Sequence, residues 1–350
     1  MGGSALKNTE TRRYQAEEYH KLAQEVLEII EQIFPFSRCS VIRSYKNKES
    51  FGDMDILLCS ENLPSNWTQE IKDYFKPNES VKNGNCLSFD YKQLQIDVIV
   101  TKPEEYETSR DYYSFNDLNN LMGRLCNSLG LKLGQDGLSY NFREGTHNYR
   151  NVVLSRDWKV VCDVLDLNYK RFREGFDNLE NIFMFVVSSP FFNEEIFALE
   201  NRNHAARVRD EKRITYTQFL KWIDNDDNLL PKDYYYQRRN KEFYLPYLFD
   251  VIPHFEDTYK KVMQEWELDK KFKARYNGSI VSKLTGLSGK ELGAFMQRNK
   301  EYYGEEGLKT TINSVNPECL DDFILHNYFV YNNILPKAEL TEGAFKEGLK

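Results

Sequence analysis

Two apolar runs that carry carboxylates constrain this chain more than any other feature. Gly52-Asp53-Met54-Asp55-Ile56-Leu57-Leu58 is answered further along by Gln95-Ile96-Asp97-Val98-Ile99-Val100. Both runs read as strands. Side chains two apart on a strand share a face, so Asp53 and Asp55 point the same way. A charge such as Asp97 inside a buried strand is costly unless it is paired or holds a metal. Three convergent carboxylates offer only hard oxygen ligands, the set suited to a pair of Mg²⁺ ions, with Mn²⁺ as a substitute. Such a site with a nucleoside triphosphate implies transfer of a nucleotidyl group to a hydroxyl.

The rest of the sequence bounds the class. With 350 residues, 41% hydrophobic and 29% charged, the chain has the composition of a globular protein of two or three domains. No apolar run approaches the roughly 20 residues of a membrane span. The first residues lack the apolar core of a secretory signal. Cys39, Cys59, Cys86, Cys126, Cys162 and Cys319 form no Cys-x-x-Cys pair, which argues against a zinc ribbon or a redox motif. Reduced thiols, a cytoplasmic location, a monomer and no membrane partner are the expectations. The formal charge of −7 means that any nucleic-acid partner must meet a local basic patch.

The periodicity predicts an α+β chain. Thr11 to Phe34 reads as an amphipathic helix ended by Pro35, with Leu22, Val26, Ile29, Ile30 and Ile33 on one face. Strands are expected over Cys39–Ile42, Asp53–Cys59, Asn85–Tyr91 and Leu94–Val100, and a helix over Trp67–Phe75. These make a mixed sheet with helices on one side. A helix over Asp117–Leu129, three short strands to Leu154 and a helix capped by Ser155 follow. From Asn178 onward the chain reads as mostly helical: Leu179–Val187, Glu194–Asn201, Thr215–Ile223, Tyr259–Phe272, Lys290–Tyr303 and Pro317–Phe329. Pro231, Pro246 and Pro253 punctuate a Tyr-rich connection, and a polar tail closes the chain.

Arg43-Ser44-Tyr45-Lys46-Asn47-Lys48-Glu49-Ser50-Phe51-Gly52-Asp53-Met54-Asp55 resembles the nucleotidyltransferase motif of the DNA polymerase β superfamily: a Gly-Ser turn, a basic stretch, then Gly-Asp-x-Asp. The likeness is closest to the family X DNA polymerases. Tyr112-Tyr113-Ser114-Phe115-Asn116 stands where that family has Tyr-Phe-x-Gly-Ser, and Gly130-Leu131-Lys132-Leu133 resembles its thumb. The resemblance covers residues 14–172. It implies a palm over 1–111 and a thumb-like subdomain over 112–177; the helical pattern adds a domain over 178–335, and the polar tail covers 336–350. It also implies that Asp53 and Asp55 hold two Mg²⁺ ions and that Asp97 ligates the one beside the primer 3′-OH. Ser44, Lys46, Lys48, Gly52 and Tyr112 would face the nucleoside triphosphate, and Asn120 and Arg124 the nascent base pair. The partners so implied are a nucleoside triphosphate and a nucleic acid with a free 3′-OH. Arg43 stands where the family has Gly. Phe115 replaces the turn Gly that helps exclude a ribose 2′-OH, and the family's lyase domain has no counterpart.

Two patches of the second half carry open alternatives. Arg202, His204, Arg207, Arg209, Lys212 and Arg213 are either a phosphate-binding stripe for nucleic acid or a solvated helix face beside Asp210 and Glu211. Asn277 to Met296 weakly resembles the tail region of CCA-adding tRNA nucleotidyltransferases, and a helix–turn–helix core element is the preferred reading. A terminal RNA nucleotidyltransferase is therefore the alternative to a polymerase. A catalytic relic, or an enzyme that modifies proteins or small molecules, comes third.

Overall fold

Alternation of apolar and polar residues decides the first hundred residues. The computed structural model describes residues 5–59, 61–225 and 239–332; the expected tail over 336–350 and Pro231 lie outside them. Strand β1 (Tyr14–Gln15) leads into α1 (Ala16–Ile33). Then come β2 (Arg38–Val41), β3 (Ser50–Phe51), β4 (Asp53–Cys59), α2 (Trp67–Phe75), β5 (Ser80–Asn83), β6 (Cys86–Tyr91) and β7 (Leu94–Thr101). The main sheet has the order β2-β4-β7-β6-β5. Only β4 and β7 run parallel, with Asp53 opposite Gln95 and Asp55 opposite Asp97.

The period of two sorts β4 between two environments. Met54, Ile56 and Leu58 pack with Ile96 and Val98 of β7 and with Leu22, Val26 and Ile30 of α1. All but Leu22 of these side chains are fully buried, each contributing roughly 1.5–3 kcal/mol. The alternate residues of β4 lie on the other face, where Leu57 and Cys59 meet Ile99 and Tyr106. Asp53 and Asp55 belong to that second face, so α1 and α2 back the sheet and leave its carboxylates uncovered.

The chain continues through α3 (Tyr106–Tyr113), α4 (Leu118–Ser128), β8 (Leu131–Gly134), β9 (Gly137–Glu144), β10 (His147–Ser155), α5 (Trp158–Val164), α6 (Tyr169–Glu174), α7 (Leu179–Val187), α8 (His204–Glu211), α9 (Ile214–Ile223) and α10 (Leu245–Val251). Strands β8 to β10 form a separate antiparallel sheet. The helix expected after Ser155 is capped by Asp157 instead, which accepts from the Lys159 amide. Glu194–Asn201 is two 3₁₀ turns rather than one helix.

Contacts divide the chain after Phe255, not near residue 178. The reason lies in α7, whose Phe185 packs on Phe176 with ring centroids 5.2 Å apart. Helices α7 to α10 thus belong to the first unit. The second unit holds α11 (Phe255–Arg275), α12 (Gly278–Thr285), α13 (Gly289–Tyr303), α14 (Glu305–Ser314) and α15 (Leu320–Tyr331) around Val281, Phe295, Leu308, Ile312 and Ile324. Asn277 caps α12 by accepting from the Ile280 amide at 3.0 Å, and Gly286 ends it at a φ of 75°. Among the described residues no helix is long and apolar enough to cross a membrane.

Candidate active site

Parallel pairing of β4 with β7 brings the three carboxylates together. One oxygen from each of Asp53, Asp55 and Asp97 lies within 4.8 Å of the others, the only such cluster among the described residues. Gln95 Nε2 donates to both oxygens of Asp97, at 2.9 Å each. Ser88, opposite Asp97 on β6, extends the same polar row. Burial raises the Asp55 carboxyl well above its usual range, and the charges of Asp53 and Asp97 push it further. Burial raises Asp97 as well, while hydrogen bonds from Ser88 and Gln95 pull it back. Three like charges this close need a cation to be held ionised together. All-oxygen donors fit a hard divalent ion.

That tension has a sign. A carboxyl raised in the folded state costs stability as pH rises from its ordinary value through the raised one. In chelated, metal-free protein, Asp55→Asn is expected to raise the neutral-pH Tm by ~2–4 °C, the shift produced by about 1 kcal/mol in a domain of this size. The gap to the parent should widen as pH rises above about 4, the ordinary value of an aspartate carboxyl. Thermal melts in a chelator check this, and an equal or lower Tm for the variant contradicts it.

Asp53 and Asp55 line a cleft of about 970 Å³. Its basic wall is the turn from Arg43 to Gly52. Backbone bonds dock this turn on the loop after α6, from the Lys46 amide to the Phe176 carbonyl and from the Asn47 amide to the Asp177 carbonyl, both 2.8 Å. This docking separates the two lysines. Lys46 turns away from the cleft and pairs with Asp177 at 3.0 Å. Lys48 lines the cleft, with its ammonium 4.6 Å from the centre of the Phe51 ring. Burial lowers the Lys48 amine and the charges of Asp53 and Asp55 hold it up. Ser44, Gly52 and Tyr112 also line the cleft.

Asn120 and Arg124 are not brought to it. Four residues apart, they share the face of α4 that packs away from the cleft. Asn120 donates to Asp210 at 3.3 Å, and Arg124 donates twice to the Ile196 carbonyl, at 2.9 and 2.6 Å. The neighbouring Asn119 lines the cleft instead. Phe115 has a φ of 63°, the left-handed conformation that a turn glycine would favour. Its ring is buried against Phe172 and Phe176 rather than facing the cleft. A Cβ on Gly175, itself at a φ of 80°, would come within 3.3 Å of that ring.

The basic cluster of the second half also divides. Arg202 does not belong to any exposed stripe: it is buried and pairs with fully buried Asp210 at 2.6 Å. It also donates to the Tyr216 hydroxyl at 3.0 Å. Arg213 stands at the cleft beside Asp117. Arg209 and Lys212 are exposed, while Arg207 is half-buried near Glu211. Sequence reasoning missed Arg13, Asn116, Asn119, Gln135 and Asn178 as cleft residues. Arg13 leaves no periodic signal, because the strands that place it, β1 and β3, are two residues each. No protein-family model matches the chain, and no curated protein matches it.

Proposed function

We propose that this protein is a metal-dependent nucleotidyltransferase on a polymerase β-like palm, adding nucleotides to the 3′-OH of a nucleic acid in the manner of a family X DNA polymerase. The observation that carries the reading is Asp55 directly opposite Asp97 on parallel neighbours, with Asp53 beside them on the floor of a cleft whose wall supplies Lys48. Asp53, Asp55 and Asp97 would hold two Mg²⁺ ions, which when bound supply Lewis-acid stabilisation of in-line displacement at the α-phosphorus. Lys48, Ser44 and Asn47 would bind the triphosphate, and Arg13 adds charge to that wall. Tyr112, Asn119 and Gln135, across the cleft, would orient the nucleoside. Asp97, held by Gln95 and Ser88, would face the attacking hydroxyl.

The two lysines give a sharp contrast. Lys48→Ala is expected to raise KM for the triphosphate by on the order of tenfold or more, the worth of a charge-assisted phosphate contact. Lys46→Ala, outside the cleft, should leave KM within about twofold, as an exposed pair such as Lys46–Asp177 is worth little. Steady-state kinetics decide it, and equal effects at the two positions contradict the assignment.

A terminal RNA nucleotidyltransferase is the second reading. Phe115 favours it, because it replaces the turn Gly that in the family X polymerases helps exclude a ribose 2′-OH. Primer extension with Mg²⁺ on a gapped DNA duplex, and on a tRNA lacking its 3′ end, tests both readings with each dNTP and NTP supplied singly. Template-matched dNTP addition supports the polymerase. Addition of CTP and ATP alone to the tRNA supports the second reading, and no transfer to either overturns both.

A further inference from the structure

Asp97 sits at the end of a hydrogen-bond relay that starts near the beginning of the chain. The Ala5 and Leu6 amides donate to Gln95 Oε1 at 3.0 and 3.4 Å, and Gln95 Nε2 donates to both Asp97 oxygens at 2.9 Å. The segment is seated firmly. Leu6 is part of the buried core. Glu79 accepts from the Lys7 amide at 3.0 Å, the Asn8 amide at 2.8 Å and the Asn8 side chain at 3.2 Å. The Arg12 amide donates to the Gln93 carbonyl at 2.8 Å. Glu79 is itself fixed, its amide donating to buried Asp90 at 2.7 Å.

The polarity of the Gln95 amide is what this arrangement decides. A carboxamide has one accepting end and one donating end. Gln95 is 2% exposed, so water cannot substitute at either end. Two backbone N–H groups on one side oblige Oε1 to face them, and Nε2 is then the only end left to face Asp97. Without them Oε1 loses its anchor, and the amide is no longer held square to the carboxylate.

We propose that residues 5–8 form a positioning strap: by locking the Gln95 amide, they hold Asp97 in the orientation that takes a divalent cation. The inference rests on the metal-binding reading of the triad, and Gln95 acts through Asp97 as a positioning residue. Groups that orient a metal ligand typically change affinity by roughly 10- to 100-fold when lost. The strap is far along the sequence from Asp97, and no local motif links the two.

Mn²⁺ titration followed by electron paramagnetic resonance tests it without any nucleotide or primer. The set is the full chain, Gln95→Leu, a chain lacking residues 1–9, the combination of the two, and Glu79→Ala, each with a thermal melt. Gln95→Leu and the shortened chain should each weaken Mn²⁺ binding by about tenfold. The combination should be no weaker than either alone, because the strap acts only through Gln95. Glu79→Ala, which frees the strap from an exposed site, should weaken binding in the same direction and keeps the test decisive if the shortened chain fails to fold. A lowered Tm with the Mn²⁺ dissociation constant within twofold of the parent overturns the strap, and so do losses that multiply in the combination. A full-length chain that binds no Mn²⁺ overturns the metal site and the strap together, which separates that failure from a failure of the strap alone.

Discussion

Asp97→Ala is expected to lower nucleotidyl transfer by on the order of 10³-fold or more while the protein stays folded. A metal ion at a reacting phosphoryl group supplies several kcal/mol of transition-state stabilisation, and each 1.36 kcal/mol is about tenfold in rate. Asp97 stands opposite Asp55 in the parallel register, so removing it opens the cluster on the side of β7. The sheet has no need of its side chain, because the packing on α1 comes from Ile96 and Val98 on the other face. Two effects on stability oppose one another. Gln95 Nε2 loses its acceptor, at a cost of about 1–3 kcal/mol for a buried donor. Removal of a negative charge relieves Asp55, which burial and its neighbours already press toward protonation. Circular dichroism should therefore match the parent, and single-turnover incorporation should collapse. A variant that keeps more than about a tenth of the parent rate would remove Asp97 from the chemistry.

The second large effect is on stability. Arg202→Ala is expected to destabilise the protein by about 3 kcal/mol, the lower end of the usual penalty for breaking a buried ion pair, because Arg209 and Asn120 stay on the other oxygen of Asp210 at 3.1 and 3.3 Å. Asp210 is completely buried, with Arg202 at 2.6 Å. The guanidinium also donates to Tyr216, whose hydroxyl donates to the Phe197 carbonyl at 2.6 Å. The cut reaches the anchor of α8 and α9 together. Lys212→Ala, two residues beyond Asp210 and exposed, should change stability by no more than about 0.5 kcal/mol. Pairing Arg202→Met with Asp210→Leu should recover most of the loss, since replacing both members of a buried pair by apolar residues is often neutral. Denaturant titration reads all three. A small effect of Arg202→Ala would mean that the pair is solvated.

The contrast between Arg202 and Lys48 shows what the sequence makes legible. The strands β4 and β7, and the shared face of Asp53 and Asp55, follow from the residue pattern, because an apolar residue every second position fixes which side of a sheet is buried. The helix α1 follows from its apolar stripe. Tertiary pairing decides the rest. Lys46 and Lys48 look alike in sequence, and only the backbone bonds to Phe176 and Asp177 turn one away and leave the other in the cleft. Arg202 reads as one of a row of surface cations, yet Asp210 follows it into the interior. The helix α8 escapes the pattern because Asp210 is its only buried residue. Asn120 and Arg124 occupy the expected helix, but the cleft is lined by Asn119.

The proposed chemistry stands on a pair of divalent ions held by Asp53, Asp55 and Asp97. The most direct measurement is a crystal grown with Mn²⁺ and a non-hydrolysable nucleoside triphosphate, with the manganese located by anomalous scattering. Two peaks about 3.5–4 Å apart are expected, both in reach of Asp53 and Asp55 and one of them also on Asp97, with the triphosphate extending toward Lys48. Manganese bound elsewhere, or a triphosphate bound in the cleft with no ion at the carboxylates, would contradict it.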